Sequence, residues 1–70
     1  MEAIEMEIYR IEVDGLYFED LMISAEEDVA TAIDVAIDLA QDVLGGSVRG
    51  FYLNTDKNLI SLCMRLWSNS

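Results

Sequence analysis

Carboxylates are the most numerous side chains of this chain that could take part in chemistry. Cysteine and histidine, which serve many active sites and metal sites, are scarce or absent. The sequence contains fourteen Asp and Glu, one cysteine and no histidine. Without histidine, no Ser-His or Cys-His pair can activate a nucleophile. A single cysteine can form neither an internal disulfide nor, without histidine, a zinc site of the Cys/His kind. We therefore expect a protein that is not an enzyme and that needs no cofactor.

Three aspartates recur at helical spacing in the middle of the chain. Asp34, Asp38 and Asp42 follow one another at intervals of four residues, so a helix would place them on one side, roughly 6 Å apart along its axis. Like charges at this spacing cost roughly a few tenths of a kcal/mol per pair, and no Lys or Arg occurs between residues 24 and 44 to offset them. We call Asp34, Asp38 and Asp42 the acidic stripe, and Glu27 falls on the same side of the predicted helix.

The acidic stripe is open to three interpretations at this point. It can be a solvated face that keeps the chain soluble, or a docking surface for a basic partner. It can also be a site for a divalent cation, since Ca²⁺ and Mg²⁺ take carboxylate ligands. The cation site is disfavoured, because three short side chains on successive turns of a straight helix cannot surround one ion.

A second group of acids lies in the N-terminal part of the chain, where Glu19 and Asp20 are adjacent. Neighbours in a strand point to opposite faces, so this pair is poorly placed for acid and base work on one substrate. Such charges either protect an edge strand from pairing with other chains or extend the negative field towards a basic partner. The candidate partner-binding residues are Glu19, Asp20, Glu27, Asp34, Asp38 and Asp42.

The overall composition narrows the class of protein further. The formal net charge is -10, so we expect no direct binding to nucleic acid, whose phosphates such a chain repels. A hydrophobic content of 53% and a mean hydropathy of +0.25 are typical of a folded chain. The 70 residues suffice for one small domain, spanning 1–70. With no secretory segment and no apolar run near the roughly 18 residues of a spanning helix, we expect no membrane association and a cytoplasmic location in a host cell.

The hydrophobic pattern predicts two strands, a helix and two more strands. Residues 3–13 and 16–23 form a hairpin around Asp14-Gly15, a pair suited to a type I′ turn. Its apolar alternation reverses between Ile8 and Tyr9, which predicts either a bulge there or burial on both faces. The helix spans 24–44, with a Ser24/Glu27 capping box at its start and Gly45-Gly46 as its stop.

The C-terminal part of the chain completes the predicted fold. Strands 48–54 and 59–67 flank a polar turn at 55–58, and Ile60, Leu62, Met64 and Leu66 should face the core. The fold class is therefore α+β, a single-domain ββαββ with one helix packed on a mainly antiparallel four-stranded sheet. The order of the strands stays open.

One helix covers one face of a sheet, so the other face needs its own explanation. We expect Phe18 and Phe51 in the core, and Cys63 as a small, buried or half-buried apolar side chain. The side chains expected to line the uncovered face are those of Tyr9, Tyr17, Tyr52 or Trp67. An apolar second face would suit a homodimer.

In composition and architecture the chain resembles small acidic phage proteins that act against host defences: anti-CRISPR proteins, restriction inhibitors and uracil-DNA glycosylase inhibitors. The ββαββ order, the acidic stripe and the shortage of Lys and Arg carry this resemblance. It implies an inhibitor that places carboxylates where a nucleic-acid-binding protein of the host expects phosphates. The alternative is a homo-oligomeric structural or assembly module whose charge serves only solubility.

Overall fold

The computed structural model describes residues 5–66, with only the backbone described at Leu66. Within this range the element order is two strands, a helix and two strands, which confirms the predicted α+β class and the ββαββ order. A short 3₁₀ helix at Thr55–Lys57 separates the last two strands. The main elements are β1 (Met6–Val13), β2 (Leu16–Ser24), α1 (Val29–Leu44), β3 (Gly46–Asn54) and β4 (Leu59–Leu66).

The four strands form one sheet in the order β2-β1-β4-β3. Two antiparallel hairpins, β1-β2 and β3-β4, are joined through a central parallel pair of β1 with β4. This parallel ladder is short: it pairs Arg10–Val13 with Leu59–Leu62. Helix α1 connects the two edge strands, β2 and β3, and so must cross one face of the sheet.

Three alanines bring α1 close to the sheet. Ala32, Ala36 and Ala40 are fully buried, and their four-residue spacing places them along one side of the helix. Against them lie the fully buried side chains of the central strands, Ile11, Ile60 and Leu62. The predicted inward alternation of β4 is confirmed at Ile60, Leu62 and the partly buried Met64, whereas the side chain of Leu66 lies outside the described residues.

The predicted start of the helix is wrong. Ser24 is the last residue of β2, and its Oγ accepts a hydrogen bond from the backbone N–H of Glu26 at 3.3 Å. Helix α1 begins only at Val29, after Asp28, whose side chain makes no capping hydrogen bond. A serine can close a local turn as readily as it caps a helix, and here it organises the bend that contains Glu27.

The predicted end of the helix is confirmed. Gly45 adopts a left-handed conformation with φ of 69°, and its N–H donates to the carbonyl oxygen of Gln41 at 3.0 Å. Glycine adopts this conformation without the steric cost that a Cβ imposes. The side chain of Gln41 also accepts from the N–H of Val48 at 3.1 Å, so the helix end is tied directly to β3. Gly46 is already the first residue of β3 rather than part of the stop.

Helix α1 leaves the opposite face of the sheet uncovered, and we call it the helix-free face. The register places on it the side chains that alternate with the core positions. In the described range these are Met6, Ile8, Arg10 and Glu12 of β1; Tyr17, Asp20, Met22 and Ser24 of β2; Ser47, Gly50, Tyr52 and Asn54 of β3; and Leu59, Ser61, Cys63 and Arg65 of β4.

This face explains the reversed alternation of the first strand. The ladder between β1 and β2 is regular at Ile8 and Tyr9, and its shift falls between Ile11 and Glu12, where Phe18 is the extra residue on β2. Tyr9 is buried on the helix side, while Ile8 is 53% exposed on the other side. Both predicted explanations, a bulge at Ile8–Tyr9 and burial on both faces, are therefore wrong. Apolar side chains of β1 simply face outwards.

Three predicted environments of single residues also need correction. Tyr9, expected as a candidate for the uncovered face, is in the core beneath α1. Phe51, expected in the core, is 52% exposed because it lies on the edge strand β3. Cys63 is exposed rather than buried, because it faces away from the helix. Phe18 is partly buried against the core, as expected, and Trp67 lies outside the described residues.

Candidate functional site

The acidic stripe lies on the outward side of α1. Asp34, Asp38 and Asp42 are all exposed. At about 100° per residue, Asp38 is turned roughly 160° away from the buried Ala36. The packing of the alanines against the sheet thus holds the three carboxylates towards solvent, about 6 Å apart along the helix axis. The structure confirms that the three aspartates share one exposed helix side.

The stripe has no ion-pair partner within the molecule as far as residues 5–66 are concerned. The salt bridge found there joins Arg10 to Glu12, at 3.5 Å between Nε and Oε2, and neither residue belongs to α1. The last turn of the helix carries no basic side chain, although a cation is favoured at this negative end of the helix dipole. Asp42 lies in that turn instead. The negative potential of the stripe is therefore available to a partner.

The other predicted site residues are only partly brought to the stripe. Glu19 and Asp20 are exposed on β2 and point to opposite faces, as predicted. Glu19 is paired with the buried Ile11 and so lies on the helix side of the sheet, whereas Asp20 is paired with Arg10 on the helix-free face. Glu27 is exposed in the bend before α1, outside the helical spacing that was expected to align it with the stripe.

An apolar groove lies at the end of the molecule where the β1-β2 turn meets the C-terminal end of α1. Its volume is about 270 Å³, somewhat below the roughly 300–1,000 Å³ of typical small-molecule pockets. Leu16, on its rim, is 74% exposed. Such a groove can accept one apolar side chain of a partner. The lining residues are Val13, Asp14, Leu16, Tyr17, Phe18 and Leu44.

Sequence reasoning missed this groove. The available signal was weak: Leu16 directly follows the turn glycine, and Leu44 directly precedes the helix-ending glycine. Both are large apolar residues next to positions that must be at the surface. Their meeting depends on α1 running towards the β1-β2 turn, which is a long-range feature of the fold.

The described residues also bear on the interpretation of the stripe as a cation site. Within residues 5–66, no group of three or more Asp, Glu, His or Cys side chains is arranged to hold a metal ion. In that range, too, no helix has the length and apolar character needed to cross a membrane.

Comparison of the chain with models of protein families, with curated proteins and with solved structures finds no match. The features of the molecule that bear on its function are the acidic stripe, the groove at the C-terminal end of α1 and the helix-free face.

Proposed function

We propose that this chain is a non-enzymatic inhibitor that binds a basic, nucleic-acid-binding surface of a host defence protein. The observation that carries the proposal is the row of three exposed aspartates on α1, none of which has an ion-pair partner among residues 5–66. The resemblance to phage anti-defence proteins supports a defence protein as the target.

The spacing of the three carboxylates indicates what kind of basic surface the stripe would fit. Its carboxylates follow one another every 6 Å or so along the helix axis, about half the charge density of one DNA strand, which carries a phosphate every 3.4 Å or so. From Asp34 to Asp42 the stripe extends about 12 Å, the length of roughly three to four nucleotides. The stripe thus imitates a short piece of one strand and would face a row of Lys and Arg.

The stability cost of the stripe favours this function over mere solubility. Asp34–Asp38 and Asp38–Asp42 are like-charge pairs at helical spacing, each unfavourable by a few tenths of a kcal/mol or so. Asp42 adds an unfavourable interaction with the helix dipole of about 0.3–1 kcal/mol. Interleaved lysines would give solubility without this cost. A concentrated negative field, in contrast, speeds encounter with a basic partner and orients it.

An apolar groove lies at the end of the helix that carries the stripe. Leu44 lines this groove and follows the buried Ala40 by four residues, so it lies on the sheet side of α1, roughly 160° around the helix axis from Asp42. The groove and the stripe therefore occupy different sides of the C-terminal end of α1. Tight interfaces depend on a few buried anchors, with charged pairs setting orientation and rate. A partner that contacts the stripe with basic side chains and also reaches around the end of α1 with one apolar side chain would use both features.

The experiment compares two variants that each lose three negative charges. In the first, Asp34, Asp38 and Asp42 are changed to Asn; in the matched control, Glu5→Gln, Glu26→Gln and Asp56→Asn are combined, all three being exposed and outside the stripe. Each protein is used to capture partners from a host extract at about 50 and about 200 mM salt. We expect wild type and control to retain a nucleic-acid-binding protein at low salt, to lose it at high salt, and to block its binding to nucleic acid.

Capture of the same protein by the stripe variant, with equal strength, would refute the proposal. The variant is expected to be folded and more stable than wild type by about 1 kcal/mol at low salt, because the like-charge and dipole terms are removed. Urea unfolding of all three proteins therefore separates a lost interaction from a lost fold.

A further inference from the structure

The helix-free face carries several large apolar side chains that are exposed to water. Ile8 and Met22 lie directly opposite each other on neighbouring strands and are 53% and 61% exposed. Met6 continues this patch along β1 at 46% exposure. Tyr17 and Tyr52, on the two edge strands, are 55% and 64% exposed. Contiguous exposed apolar surface of this kind marks an interaction site.

The charges of this face differ from those of the rest of the chain. Among the positions that the register assigns to the helix-free face, Arg10 and Arg65 balance Glu12 and Asp20, whereas the whole chain has a net charge of -10. Arg49 is the extra residue at the bulge of β3, and the register assigns it to neither face. Arg10 is held there by its ion pair with Glu12 and by the ring of Tyr17, whose centroid lies 4.9 Å from the guanidinium carbon. The face is therefore the part of the described surface where another strongly acidic molecule can approach without direct repulsion.

We propose that the helix-free face binds a second copy of this chain in a symmetric, face-to-face dimer. A twofold axis brings the same patch of both copies together, so the Met6, Ile8 and Met22 surface of each is covered by the other. The arginines and acids of each copy can pair with those of the other, because the face contains two of each sign.

The position of the stripes makes this dimer compatible with the high net charge. Packed sheets lie about 10 Å apart, and each α1 lies on the outer side of its own sheet. The two acidic stripes are thus separated by two sheets and two helices, well beyond the screening length of about 8 Å at physiological salt. Association through any surface containing the stripe would instead bring the aspartates of both copies together.

The area of the face is sufficient for a reversible dimer. Four strands about 4.8 Å apart, each of about eight residues rising about 3.3 Å, present roughly 500 Å² per copy. Two copies then cover roughly 1,000 Å², which is at the lower limit of specific interfaces. We therefore expect monomer and dimer to exchange over the micromolar concentration range.

The test is sedimentation equilibrium of the full chain from low micromolar to millimolar concentration. The variant Ile8→Ser with Met22→Ser removes exposed apolar surface from the helix-free face. The matched control, Val35→Ser with Val43→Ser, removes exposed apolar surface from α1, where the two valines are 40% and 57% exposed. We expect wild type and control to dimerise with similar Kd, and the face variant to dimerise at least tenfold more weakly.

Cys63 reports independently on which face is covered. It is exposed on the helix-free face, so its alkylation by a maleimide should slow as wild-type dimer accumulates and should stay fast in the face variant. A wild-type chain that remains monomeric at millimolar concentration, or a dimer in which Cys63 reacts as fast as in the monomer, overturns the proposal. Protection of Cys63 only when a captured host protein is bound would also overturn it and would identify that protein as the occupant.

The stripe variant separates this inference from the proposed function. Asp34, Asp38 and Asp42 lie on the other side of the molecule, so their change to Asn should leave the dimer Kd within about twofold. Dimerisation should also depend little on salt, whereas capture of a basic partner should weaken steeply. If the dimer or the capture of a basic partner is not observed, the other proposal is therefore unaffected.

Discussion

Asp14 and Met64 are linked across the sheet, although they are fifty positions apart in the sequence. The Oδ1 atom of Asp14 accepts a hydrogen bond from the backbone N–H of Met64 at 3.2 Å. Next to it, the N–H of Asp14 donates to the carbonyl oxygen of Leu62 at 2.9 Å. Asp14 thus continues the hydrogen bonding of the parallel β1-β4 pair beyond its last residue. Its carboxylate therefore contributes to the fold.

The first prediction concerns this link. Asp14 has a φ of 51° in the β1-β2 turn, a conformation that Asp and Asn adopt more readily than Ala. Asp14→Ala should destabilise the chain by about 2 kcal/mol, because it removes one hydrogen bond and places in a left-handed conformation a residue without the polar side chain that lets Asp adopt it. Asp14→Asn keeps both the acceptor oxygen and the turn preference, so its unfolding free energy should stay within about 0.5 kcal/mol of wild type.

Urea unfolding followed by circular dichroism measures both variants. If Asp14→Asn were as destabilising as Asp14→Ala, the negative charge itself would be required. The hydrogen bond to Met64 would then not explain the role of the residue.

Local sequence signals predicted most elements of this fold. The features that these signals did not predict depend on long-range contacts. The Asp14-Gly15 turn is confirmed by φ values of 51° and 84°, and Gly45 ends the helix as expected, because both positions require backbone conformations that few residues adopt. The helix start predicted at Ser24 is wrong, because serine stabilises turns as readily as helix ends. The parallel pairing of β1 with β4 has no local signature in a ladder of four residue pairs.

The same difference between local signals and long-range contacts explains which parts of the candidate site were predictable. The stripe was predictable because the spacing of Asp34, Asp38 and Asp42 needs only a helix. The separation of Glu19 from Asp20 onto two faces followed from strand geometry, but which of them joins the side of the stripe depends on where α1 packs. The groove beside Leu44 and the exposure of Cys63 depend on how far one helix covers a four-stranded sheet, which the sequence pattern does not encode locally.

The second prediction concerns the alanines that hold the stripe outwards. Ala36 is fully buried between α1 and the sheet, so Ala36→Leu should push the helix away and destabilise the chain by about 1–3 kcal/mol. The control is Ala30→Leu, since Ala30 is exposed on the same helix and the change should cost less than about 0.5 kcal/mol. Thermal or urea unfolding compares them.

Equal stability of the Ala36→Leu and Ala30→Leu variants would show that α1 lies farther from the sheet than the burial of Ala36 indicates. In that case the orientation of Asp38, on the opposite side of the helix, would no longer be fixed by packing.

The third prediction concerns the pH dependence of stability. Tyr9 is buried in the core, and its hydroxyl donates to Oε2 of Glu7 at 3.1 Å. Burial, together with the hydrogen bond to Glu7 and its negative charge, raises the pKa of the Tyr9 phenol above its usual value. The folded state therefore binds the phenolic proton more tightly than the unfolded chain, whose tyrosine pKa is about 10.

The sign of the effect follows from this difference. Below about pH 10 the phenol is protonated in both states, so its contribution to stability is fully present. As pH rises through the folded pKa, the unfolded chain has already released its proton and this contribution is lost. Tyr9→Phe cannot release a proton, so its unfolding free energy should fall less than that of wild type between about pH 9 and about pH 11. Near neutral pH the same variant should be less stable by about 1 kcal/mol, through loss of the hydrogen bond to Glu7.

Tyr52→Phe is the control, because Tyr52 is 64% exposed on the helix-free face. This variant removes a phenol outside the core and is measured at the same pH values as the reference for Tyr9→Phe. Urea midpoints at each pH, with the phenolate absorbance recorded on the same samples, give the difference between the variants. Parallel curves for wild type and Tyr9→Phe would mean that the phenol of Tyr9 titrates alike in the folded and unfolded chain, and that its burial beneath α1 does not control its ionisation.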